Sequence, residues 1–155
     1  PILQRIKRRL RKRMSESINL KYIVPGDDFT RAGEASGAVK RKLKQLGFNS
    51  DVIRKVAIAM YEGEINMVIH AGGGEADVEI LPDKIHIILA DQGPGIPDIS
   101  LAMKEGWSTA PDNVRSLGFG AGMGLPNIKK YSDELKIETE LGKGTKLFIT
   151  VNVSN

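Results

Sequence analysis

Asp91-Gln-Gly-Pro-Gly-Ile-Pro-Asp98 follows the apolar run Ile85-His-Ile-Ile-Leu-Ala90. The run reads as a buried strand. A strand that ends in an acid and then in Gly-x-Gly delivers a carboxylate and a flexible backbone to one spot. The carboxylate can accept a hydrogen bond from an exocyclic amine, and Gly93 and Gly95 let a flat ring approach the main chain with no Cβ in the way. The same pattern also occurs in ordinary turns, so its meaning depends on what surrounds it.

Outward from this stretch, regular elements alternate. Ile18–Val24 alternates and stops at Pro25-Gly26, which predicts an edge strand. Asp27 or Asp28 is the expected cap of a helix reaching Leu46, and Ser50 the expected cap of a second helix ending at the Gly72–Gly74 run. Two strands, about 76–81 and 84–90, are joined by Pro82-Asp83. Residues 98–124 form a loop with a short helix near 99–105. A helix from Leu125-Pro126 to Tyr131 follows, then two strands, about 134–140 and 145–153, around the turn at 141–144. The order β-α-α-β-β-loop-α-β-β predicts an α/β (α+β) two-layer sandwich, its mostly antiparallel sheet covered on one face by helices.

The chain has 155 residues, 41% hydrophobic and 27% charged, enough for one globular domain with a real core. It has no cysteine, which removes disulfides and thiolate metal sites and suits a reducing cytoplasmic setting. No apolar run approaches the roughly 20 residues that span a bilayer, and no secretory leader is expected at the basic start. The net charge of +4 is unevenly spread. Seven bases and no acid fall in the first thirteen residues, which leaves 16 bases against 19 acids, a net of −3, in the rest. Residues 1–17 therefore read as a basic arm and 18–155 as the domain. Ile2, Leu3, Ile6, Leu10 and Met14 recur at helical spacing in the arm. It could touch an anionic membrane or a nucleic acid, or be a solvated or linker helix. The basicity is not spread over a folded face, so no specific nucleic-acid partner is expected.

Glu62 and Asn66 are four apart on the second helix and share one face. An ionised Glu accepts a proton, and an Asn amide oxygen can ligate a hard cation such as Mg²⁺. Glu64 falls elsewhere on the helix and reads as a surface acid; His70 reads as structural or as a partner of the helix dipole. Gly118-Phe-Gly-Ala-Gly-Met-Gly-Leu-Pro126 places Gly118, Gly120, Gly122 and Gly124 at alternate positions before a helix. Backbone N–H groups there can wrap an anion. No Gly-Lys-Ser/Thr follows, so it is not a Walker A loop.

Glu62-x-x-x-Asn66, Asp91-x-Gly93-x-Gly95, Gly118–Gly124 and Gly144-Thr145, in this order, resemble the N, G1 and G2 boxes and closing Gly-Thr of the Bergerat-fold (GHKL) ATPases. Asp91–Asp98, Gly106-Trp-Ser-Thr109 and Gly122–Lys130 look most like the anti-sigma-factor serine/threonine kinases of the RsbT switch-kinase type. The resemblance implies ATP and Mg²⁺ as cofactors. It implies Glu62 as general base, Asn66 as metal ligand and Asp91 as acceptor of the adenine amine. Gly93 and Gly95 would line the adenine pocket, and Gly120, Gly122 and Gly124 the phosphates, with Gly118 opening that loop. Thr145 would close the adenine side. The implied partner is a STAS-domain antagonist, with a sigma factor or a downstream regulatory enzyme as a further one; a homodimer stays open. Two features depart from the pattern. The Thr109–Gly118 loop is longer, so that Arg115 could reach a γ-phosphate. Ile69 stands where sensor histidine kinases carry Lys, which argues against that branch.

Overall fold

In the computed structural model, residues 1–12, 17–104 and 124–153 are described. They form α1 (Ile2–Lys12), β1 (Ile18–Pro25), α2 (Glu34–Gln45), α3 (Ser50–Ala71), β2 (Gly73–Ile80), β3 (Lys84–Asp91), α4 (Ile99–Ala102), α5 (Gly124–Tyr131), β4 (Glu134–Glu140) and β5 (Gly144–Asn152), with a 3₁₀ turn at Phe29–Arg31. The strands make one sheet in the order β1-β2-β3-β5-β4, and each neighbouring pair is antiparallel. β1 is an edge strand, as its alternation predicts.

The two-residue period of the strands puts Val78, Ile80, Ile85, Ile87, Leu89, Ile149 and Val151 on one face, all essentially without solvent exposure. The long helix α3 lies across that face and contributes Val56, Ala59 and Met60, each fully buried. At Gly63 the helix touches the sheet so closely that a Cβ would collide with the Leu89 side chain. Among the described residues β3 is covered on this face: His86, Ile88 and Ala90 alternate with the core residues and are partly exposed. The α/β two-layer sandwich with an antiparallel sheet and helices on one face is thus the fold observed.

Two helix starts differ from expectation. Asp28 caps only the 3₁₀ turn, accepting the Thr30 N–H at 2.9 Å. The chain then turns through Gly33, at φ +97°, and α2 begins at Glu34. The long helix is capped by Asn49, whose side chain accepts the Val52 N–H at 2.9 Å, and not by Ser50.

Glu64 meets the chain at this break. This residue is 1% exposed. Its Oε2 accepts the N–H groups of Gly33 at 3.0 Å and Ala35 at 3.3 Å, and its Oε1 that of Ser36 at 2.6 Å. A carboxylate from α3 therefore satisfies the first N–H groups of α2, where the helix dipole favours negative charge. Glu64 is a buried cap and not the surface acid its position suggests.

Candidate functional site

Asp91 ends β3 and faces Thr145 in the β3–β5 register. Its Oδ1 accepts two backbone N–H groups, from Gly93 at 3.0 Å and from Thr145 at 3.2 Å. No hydrogen bond reaches Oδ2 among the described residues, and the residue is half-buried. One oxygen is thus fixed by the fold. His70, near the end of α3, feels the Asp91 charge; burial holds its pKa below the ordinary imidazole value, against the opposing pull of that carboxylate.

The loop after Asp91 is pinned on both sides. Gly93 lies on the last turn of α3, where a Cβ would stand 2.6 Å from the Ala71 Cβ. Gly95 adopts φ +81° beside the Glu140 carbonyl. The Gly142 N–H donates to the Pro94 carbonyl at 2.9 Å, and the Ile96 N–H donates to the Thr139 hydroxyl at 2.8 Å. Thr139 Oγ1 also lies 2.9 Å from Thr145 Oγ1 and 3.3 Å from the Gly144 carbonyl. Thr145 is only 8% exposed. Thr139 carries no motif in the sequence. Its signal is positional: it pairs with Thr145 across the β4–β5 turn.

The second part of the site is built on the outer face of α3. Glu62 is half-buried, and burial raises its carboxyl pKa above the ordinary value; a hydrogen bond from Asn127 pulls the other way. Asn127 Nδ2 donates to Glu62 Oε1 at 3.3 Å. One turn further along, Asn66 meets the start of α5. A Cβ at Gly124 would stand 2.7 Å from Asn66 Nδ2 and 2.8 Å from its Oδ1. A glycine at that position is what lets the α5 backbone reach the amide. Asn127 sits in the Gly122–Lys130 segment, whose side-chain roles sequence alone does not assign.

The structure thus brings Glu62, Asn66 and Gly124 together at one end and Asp91, Gly93, Gly95 and Thr145 at the other. The two ends share α3: Ala71, which meets Gly93, is five residues past Asn66, about 7 Å along the axis. Gly118, Gly120, Gly122 and Arg115 lie outside the described residues. Among the described residues no group of three or more His, Cys, Asp or Glu side chains could hold a metal. The Asn66 amide oxygen is a hard donor at this end, one turn from the Glu62 carboxylate. Few protein oxygens suit Mg²⁺, which keeps several waters and binds substrate phosphates.

The sequence matches the family described as Histidine kinase-, DNA gyrase B-, and HSP90-like ATPase over residues 51–155. It is 35% identical over 108 residues to the serine/threonine-protein kinase RsbT of Bacillus subtilis, covering 67% of this chain and 75% of that protein. It is 33% identical over 118 residues to an anti-sigma F factor of Clostridium beijerinckii, covering 72% and 79% of the two chains. Among solved structures, the RsbU and RsbW domains of a Mycobacterium tuberculosis protein superpose with a TM-score of 0.58 at 14% identity, over 91% of this chain. This chain spans only 33% of that structure, and the likeness is one of fold. With the family match covering two thirds of its length and carrying β3, α5 and the Asp91 loop, the chain belongs to the Histidine kinase-, DNA gyrase B-, and HSP90-like ATPase family.

Proposed function

We propose that this protein is an ATP- and Mg²⁺-dependent serine/threonine kinase that phosphorylates a small STAS-type antagonist in a partner-switching system. Family membership implies an ATP site, and one of the relatives is named as a serine/threonine kinase. The observation that carries the reading is the pairing on α3: Glu62, held by Asn127, one turn from Asn66, which is held against Gly124.

In this reading, residues 18–155 are the ATPase domain and residues 1–17 an arm outside it. Asp91 accepts the adenine amine on Oδ2, between Gly93, Gly95 and the Thr145 hydroxyl. Gly124 lines the phosphates, and Gly118, Gly120 and Gly122 join it by sequence. Asn66 supplies one oxygen to Mg²⁺, whose role when bound is to offset phosphate charge. Glu62 takes the proton of the incoming hydroxyl; its raised pKa makes it a stronger base than an exposed Glu. The protein acts in the cytoplasm, and phosphorylation of the antagonist weakens that complex and frees the kinase for a sigma factor or a downstream enzyme. The test is incubation with γ-labelled ATP and candidate STAS-domain proteins. Phosphoserine or phosphothreonine on the antagonist supports the kinase.

A second reading is favoured by the relatives named anti-sigma F factor: an ATP-binding module that sequesters a sigma factor with little catalysis. A tight, unlabelled complex in the same assay supports it.

A further inference from the structure

We propose that α1 seats this protein on an anionic lipid bilayer. The helix has eleven residues, six of them basic (Arg5, Lys7, Arg8, Arg9, Arg11, Lys12) and none acidic. Ile2, Leu3 and Ile6 fall on one side of it and are 76%, 62% and 48% exposed. Arg5, Arg8 and Arg9 are exposed as well. The helix is not held away from the body. The Lys7 stem passes over Gly47 at the α2–α3 junction, where a Cβ would stand 2.9 Å from the Lys7 Cγ. Even so, among the described residues the apolar ridge remains exposed.

Three features select the occupant. First, the helix is short, and helices of this length are marginal in water. Second, Arg5 and Arg9, and Arg8 and Lys12, are like charges at i,i+4, a destabilising spacing, and no acid of the helix offsets them. An anionic neighbour removes that repulsion. Third, a bilayer interface takes both halves of the helix, the bases at the headgroups and the Ile/Leu ridge at the acyl boundary. Nucleic-acid phosphates would satisfy the bases and leave the ridge in water. The rest of the chain, with its net charge of −3, is repelled by such a surface, so contact is confined to the arm. No helix among the described residues is long and apolar enough to cross a membrane, so the contact is peripheral.

The experiment is co-sedimentation of the full chain with vesicles of phosphatidylcholine alone and of phosphatidylcholine mixed with phosphatidylglycerol. Partition should be at least about ten-fold higher with the anionic vesicles and fall as salt is raised. Helicity by circular dichroism should rise on adding them. The variant Ile2→Ser/Leu3→Ser/Ile6→Ser keeps every base and alters only exposed side chains; it should lose about ten-fold or more of the binding. Equal partition into both vesicle types overturns the proposal. So does full binding by the triple variant, which would mean adsorption by charge alone. Binding to duplex DNA with none to vesicles overturns it in favour of a nucleic-acid contact. None of these readouts depends on the nucleotide site.

Discussion

The Thr145 N–H donates to Asp91 Oδ1 at 3.2 Å, across a strand pair that joins residues 54 apart in the sequence. With the Gly93 N–H on the same oxygen, the carboxylate is oriented before any ligand arrives. Asp91→Asn should keep these two bonds through its amide oxygen and turn an N–H₂ toward the ligand. ATP affinity should fall roughly 10- to 100-fold, the scale of an unpaired buried polar group, with little change in thermal stability. Wild type should bind GTP far more weakly than ATP, because guanine offers a carbonyl where adenine offers an amine. Titration calorimetry with both nucleotides measures this; equal affinities would remove Asp91 from base recognition.

Gly124 and Asn66 test the phosphate end as a pair. Asn66→Ala should reduce Mg²⁺-dependent nucleotide affinity and leave the fold intact. Gly124→Ala places a methyl within 2.8 Å of the Asn66 amide and must displace it. Its loss of Mg-ATP affinity should be about as large, and the double variant no worse than either single one, since both act on one group. Additive losses in a binding titration would show that Gly124 acts elsewhere.

Thr139 ties three partners together with a single proton. It accepts from Ile96 and lies within reach of both the Gly144 carbonyl and the Thr145 hydroxyl. When Thr139 donates to Gly144, Thr145 must donate to Thr139; when Thr139 donates to Thr145, the Thr145 proton is released toward the site. Thr139→Val should therefore weaken ATP binding by about ten-fold, and Thr139→Ser should restore it. A Val variant that binds like wild type would limit Thr139 to holding the β4–β5 turn.

Glu64→Ala removes the acceptor of three backbone N–H groups at the start of α2, two of them buried. Urea unfolding should show a loss of roughly 2–4 kcal/mol, the sum of a lost cap and unpaired donors. Glu62→Gln, two residues away on a different face, should change stability by less than about 0.5 kcal/mol. Comparable losses for both would mean that the two carboxylates do not divide structure and site as described.

The contrast between these two acids shows what the sequence discloses. The strands and their order along the chain follow from two-residue alternation and from glycine and proline punctuation; the sheet order, with β5 between β3 and β4, does not. The four-residue spacing of Glu62 and Asn66 puts them on one face of a helix, and only the family resemblance gives that pair a proposed role. Glu64 could not be read this way, because its partners lie 28 to 31 residues earlier in the chain. The same holds for the break before α2. Asp27 and Asp28 both look like caps, but the cap of α2 is supplied from α3. Thr139 and Asn127 are likewise brought to the site by strand pairing and helix docking.

As general base, Glu62 would accept the proton as phosphate passes to a partner hydroxyl. The measurement is the single-turnover rate of phosphoserine or phosphothreonine formation on the STAS antagonist at saturating Mg-ATP, for wild type and Glu62→Ala. A base acts in the transition state, so the variant should bind ATP normally and transfer roughly 10²–10⁴-fold more slowly. Because burial raises the Glu62 pKa and only the ionised form accepts a proton, the wild-type rate should fall as pH drops through a range above that of an ordinary Glu. The variant should lack that limb. Transfer by Glu62→Ala at the wild-type rate, with the acid limb intact, would remove Glu62 from the catalytic role.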